Sequence, residues 1–84
     1  DLMEKRYSVV DIQNEIKSIA NRYFKVPIEN DTNLLSVFRP EEVVYISVHL
    51  EKKFNVDFRE ILQRDYSILS ISNLSKKIWD NLAY

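Results

Sequence analysis

The sequence predicts an all-α fold: a small four-helix bundle of three longer helices and one short one, with a long first connection. Three observations predict it. Apolar residues recur at three- and four-residue spacing in the stretches beginning near Val9, Pro40 and Ile71, the mark of helices that each bury one face. Helix-start residues, Ser8, Pro40 and Ser70, stand just ahead of or at the head of those stretches. The chain is 45% hydrophobic and 30% charged, which supplies enough apolar material for a core and argues against disorder.

The first stretch, "SVVDIQNEIKSIANRYF", places Val9, Ile12, Ile16, Ile19, Ala20 and Tyr23 on one face. A helix near 9–24 is expected, with Ser8 as N-cap and Asp11 in the first turn, where an acid meets the positive helix end. Pro27 forbids continuation. "KVPIENDTNLLSVFR" then reads as a long connection with turn formers at Asn30, Asp31 and Asn33. Its apolar residues, Ile28, Leu34, Leu35, Val37 and Phe38, are expected to pack down onto the bundle. The next helix spans 40–54. Proline suits a first helical position because its missing N–H is not needed there, and it keeps Arg39 out of the helical region. Glu41 and Glu42 favour the same positive end. "REILQRDY" predicts a short helix around 59–65. "SISNLSKKIWDNLAY" predicts a last helix over 71–82 that buries Ile71, Leu74, Ile78 and Leu82 and turns Lys76 and Lys77 outward.

Composition excludes several functions. At 84 residues and 10.1 kDa, the chain fits one small domain over 1–84. It has no cysteine, hence no disulfide, thiolate metal site or cysteine nucleophile. It has no glycine, hence no Gly-rich phosphate loop. A net charge of −1 and a pI near 5.8 argue against nucleic acid as partner, since a basic patch is the usual footprint. No apolar run is long enough to span a membrane, and nothing from Asp1 onward looks like a signal peptide. A cytoplasmic, monomeric protein is expected.

No catalytic constellation stands out, and the chain is read as a non-enzyme. His49, the one histidine, has Tyr45, Ile46, Lys52 and Lys53 at three and four residues' distance, which supply neither nucleophile nor orienting acid. It reads as a partly exposed helical residue. Glu41, Glu42, Asp57 and Glu60 could be drawn as a metal cluster, but no ion-binding loop accompanies them. Solvated helix ends are the better reading, and no metal ligands are assigned. Trp79 and Tyr84 read as packing at the bundle edge.

The order of elements, with "DTNLL" before the second long helix, "YISVHLEKKFNVDF" within and after it, and "SISNLSKKI" at the last, resembles the acyl carrier protein family over Val9 to Leu82, nearly the whole chain. The resemblance implies a four-helix acyl-carrier-like bundle. Members carry a phosphopantetheine arm on the serine of an Asp-Ser-Leu motif that opens this helix. Counted back from Phe54 without a gap, that triplet falls on Arg39, Pro40 and Glu41, and proline has no hydroxyl to modify. The chain therefore looks like a carrier frame without cofactor, similar to the acyl carrier-related proteins that accompany bacterial peptide-maturation enzymes. Ser36 in "LLSVF" is the alternative phosphopantetheine site of a working acyl or peptidyl carrier. It requires the helix to start a turn earlier with Pro40 inside, which the residue before a proline resists; otherwise Ser36 is an ordinary loop serine. An unrelated small helical adaptor is a further alternative.

Beside the core stripe Val43, Ile46, Leu50 and Phe54, the same helix carries a second ridge, Val44 and Val48, with Tyr45 next to it. Partner enzymes dock on this face in the resembling family. The ridge is read either as a contact for a protein partner, a modifying enzyme or its peptide substrate, or as buried under Leu34, Leu35 and Phe38. Glu41 and Glu51 on one side and Lys52 on the other form its expected rim. Lys52 and Lys53 stand where the family usually has acids, which weakens the usual handle for basic partners.

Overall fold

α1, Val9–Ile19, starts on a closed capping box. The Ser8 hydroxyl accepts from the Asp11 N–H at 3.1 Å, and the Asp11 carboxylate accepts from the Ser8 N–H at 2.9 Å. Two otherwise orphaned donors are satisfied at once. The computed structural model describes residues 6–62 and 70–82. Among these it is all-α, with no strand and one isolated bridge between Asn33 and Ser70.

α1 buries Ile12, Ile16 and Ile19 as its period requires. It then widens into a π-helical turn over Ala20–Phe24. The Ala20 N–H is shared between the carbonyls of Ile16 and Lys17, and the wider turn rotates the following side chains off the α1 stripe. Ala20 stays buried, but Tyr23 is exposed, against the expectation that it continues the core face. Lys25 ends the turn in the left-handed region, φ 56° and ψ 36°.

The long connection is tied down by hydrogen bonds. The carbonyls of Thr32 and Asn30 accept the N–H groups of Ile71 and Ser72 at 3.2 and 2.8 Å, and the Ser70 hydroxyl takes the Asn73 N–H at 3.2 Å. The first three donors of α5, Ile71–Asn81, thus all find acceptors. Ser70 is the N-cap the sequence predicts. Asn33 caps a one-turn helix, α2, Leu34–Val37, by accepting from the Leu35 N–H at 2.9 Å. Leu34 and Phe38, four residues apart, point into the core with Ile28. Leu35 and Val37 point away and are exposed, which corrects the expectation that all five apolar residues pack down.

α3, Pro40–Phe54, has the expected bounds. Arg39 is extended at φ −71° and ψ 157°, as a residue before proline should be. Its N–H donates to Glu42 Oε1 at 2.8 Å. Only this half of a capping box can form, since a guanidinium has no acceptor. Asn55 closes the helix at φ 55°. α4, Phe58–Leu62, begins one residue earlier than predicted, and the expected stretch beyond 62 falls outside the described residues. Asp57 precedes it and accepts from the Arg59 N–H at 2.8 Å. The bound Arg59 guanidinium holds the Asp57 carboxyl below the usual carboxylate range.

α1 packs on α5 and α3, α2 on α3, and α4 on α5. Of the residues placed on buried faces, Ile12, Ile16, Ile19, Ile46, Leu50, Phe54, Leu74 and Ile78 belong to the core, whereas Val9 and Val43 are only half-buried. Ile28, Leu34, Phe38, Phe58, Ile61, Ile71 and Leu82 join the core, with Trp79 half-buried at the edge. Ser75 is the one buried polar residue of the described core, and its hydroxyl donates to the Ile71 carbonyl at 2.6 Å. The radius of gyration, 12.2 Å, is about the 12 Å expected for a compact chain of this length.

Candidate functional site

At about 100° per residue, α3 directs Ile46, Leu50 and Phe54 to one side and Val44 and Val48 to the other. The first set is buried. Val44 is 60% exposed, Tyr45 44% and Val48 41%. The reading in which Leu34, Leu35 and Phe38 cover the ridge is therefore overturned. α2 is a single turn, and it spends Leu34 and Phe38 on the core. Glu41 and Lys52 are exposed on the same helix, as a rim requires. Glu51 is partly committed elsewhere. It is half-buried, and its Oε2 accepts from the Phe58 N–H at 3.2 Å, tying α3 to the start of α4. Lys53 is engaged too, 3.7 Å from Glu15 on α1 and 5.9 Å over the Tyr7 ring.

Tyr45 also belongs to an aromatic cluster that the sequence did not single out. Its ring meets Tyr23 at 5.3 Å and 74°, and Phe24 at 5.9 Å and 79°. His49 stacks on Tyr23 at 4.8 Å and 26° and sets its edge to Tyr45 at 4.7 Å and 61°. Phe24 continues the cluster to Phe38 at 5.3 Å. The π-helical turn makes this possible, because it brings Tyr23 and Phe24 round toward α3. His49 is half-buried, packed between the Tyr23 and Tyr45 rings. Tyr45 and His49 four residues apart, facing a "YF" pair, were the one sequence signal for the cluster, and it needed the π-helical turn to be read.

Ser36 is exposed within α2, and its hydroxyl donates to the Asn33 carbonyl at 2.7 Å. It lies outside the helix that begins at Pro40, so the earlier helix start that an attachment serine needs is not what the chain adopts. Among the described residues no group of three or more His, Cys, Asp or Glu side chains comes together to hold a metal ion. No described helix is long and apolar enough to cross a membrane. Every buried side-chain N or O atom described has a hydrogen-bond partner, as buried polar groups generally do. No protein-family model, curated protein or solved structure matches this chain.

Proposed function

We propose that this chain is a non-catalytic, acyl-carrier-related interaction domain without a phosphopantetheine arm. It docks on a modifying enzyme or its peptide substrate through the outward face of α3, in a peptide-maturation setting. The carrying observation is the exposed ridge Val44, Tyr45 and Val48 on a helix whose other side is committed to the core. Apolar and aromatic anchors within a polar rim are the usual make-up of an interface centre. Glu41 and Lys52 supply that rim. The carrier frame rests on the order of helices and on the sequence resemblance. The missing arm rests on Pro40 at the matching position, where it opens α3 and offers no hydroxyl.

Changing Val44 and Val48 together to serine tests the docking role. Serine and valine have similar helix propensities, and an exposed ridge contributes little to stability. The melting temperature and helical circular dichroism should therefore stay near wild type, while partner binding weakens by on the order of 1–3 kcal/mol. Quantitative pull-down from the native host compares the two proteins. Unchanged partner recovery would refute the docking role.

A further inference from the structure

Beside the ridge, the end of the π-helical turn and the first turns of α3 enclose an open cleft of about 280 Å³, lined by Tyr23, Phe24, Glu41, Glu42 and Tyr45. We propose that this cleft receives the guanidinium group of an arginine side chain from a partner polypeptide. The proposal deepens the docking reading and rests on it, since Tyr45 lines the cleft and belongs to the ridge.

Size decides first. The cleft lies just below the roughly 300–1,000 Å³ of pockets that take drug-sized ligands, which suits one long side chain. Charge decides the chemistry. Aromatic faces carry negative potential and attract cations, and two carboxylates stand beside them. The helix start offsets only about half a unit of that negative charge. Among the described residues neither Glu41 nor Glu42 forms an ion pair. Arg22, 5.9 Å over the Tyr23 ring, is held by the Ser18 hydroxyl at 3.2 Å.

Arginine fits better than lysine. His49 already stacks on Tyr23, so the cation's face contact falls to Phe24 and Tyr45, whose rings form a corner at 79°. A planar guanidinium can lie against one ring and still point forked donors at a carboxylate, which a compact ammonium cannot. Glu42 has one oxygen engaged by the Arg39 N–H, leaving Oε2, while Glu41 is exposed at the cleft mouth.

The test is an amide NMR titration of the isotope-labelled protein with end-blocked pentapeptides, alanines flanking arginine, lysine or citrulline. The arginine peptide should shift the amides of Tyr23, Phe24, Glu41 and Tyr45, with a Kd of about a millimolar. Citrulline keeps the shape and removes the charge, and should bind at least about tenfold more weakly; lysine should fall between. Glu41→Gln, an exposed first-turn change that leaves the remaining spectrum in place, should weaken the arginine peptide by about fivefold. Equal shifts from arginine and citrulline, or no localised shifts with arginine at about 10 mM, would overturn the proposal. The titration needs no native partner, so its failure removes the cleft and leaves the ridge standing, whereas unchanged recovery with the serine ridge variant removes the docking reading on which the cleft's partner rests.

Discussion

Leu50 is fully buried in α3 between Ile46 and Phe54, in a core that draws on every described helix. Truncating it to alanine leaves a cavity that a small, tied-down core cannot close. Leu50→Ala should cost about 2–5 kcal/mol, a large part of the roughly 5–15 kcal/mol that holds a domain together. Urea unfolding measures it, and a midpoint that barely moves would mean that Leu50 is not in the core. Its burial was legible because its neighbours repeat at helical spacing. The surroundings of Glu51 and Tyr23 were not. Glu51 accepts from Phe58 only because Asn55 turns the chain back at φ 55°, and a local pattern of residues does not contain that reversal. Tyr23 continues the period of Ile12, Ile16 and Ile19 in sequence. It leaves that face in space because the helix under it changes pitch.

At the level of elements, the ends of helices were easier to read than the bends within them. Ser8, Pro40 and Ser70 begin helices because their chemistry meets a local need: a hydroxyl for an orphaned N–H, or a ring where no N–H is required. A π-helical turn has no such local requirement, and the residues of Ala20–Phe24 serve equally well in an α-helix. The single turn of α2 was missed because four residues are too few to show a period, although the spacing of Leu34 and Phe38 is helical. The chain has no glycine, so among the described residues the left-handed turns fall to Asn55, which tolerates that region, and to Lys25, which tolerates it less. Lys25 sits at φ 56° with an exposed side chain. Lys25→Gly should therefore raise stability by about 0.5–1 kcal/mol, the relief of the Cβ clash outweighing the greater entropy of the unfolded chain. A lower urea midpoint would show that the lysine side chain contributes more than its backbone geometry costs.

Across the whole molecule, the all-α class followed from periodicity and composition. α1, a pinned connection, α3 starting on proline, a short α4 and α5 follow one another along the chain, and the acyl-carrier-like frame proposed for them rests on the sequence resemblance. That frame predicts a gain of function. If Arg39, Pro40 and Glu41 occupy the places of the Asp-Ser-Leu attachment motif, restoring the motif should restore the arm. The variant Arg39→Asp/Pro40→Ser/Glu41→Leu keeps a good helix start, because aspartate is a better N-cap than arginine and serine costs little at the first position. All three residues are exposed, so the core is untouched. Offered coenzyme A and a permissive phosphopantetheinyl transferase, the variant should gain the mass of one phosphopantetheine unit on the introduced serine, and the wild-type chain should gain none. Modification of the variant would support a carrier-like presentation of the introduced serine by α3 and its neighbours. A wild-type chain that takes up the arm, and loses it in Ser36→Ala, would make Ser36 the attachment site and the protein a working carrier. An unmodified variant with an intact circular-dichroism spectrum would leave a small helical adaptor whose likeness to carriers ends at the order of its helices.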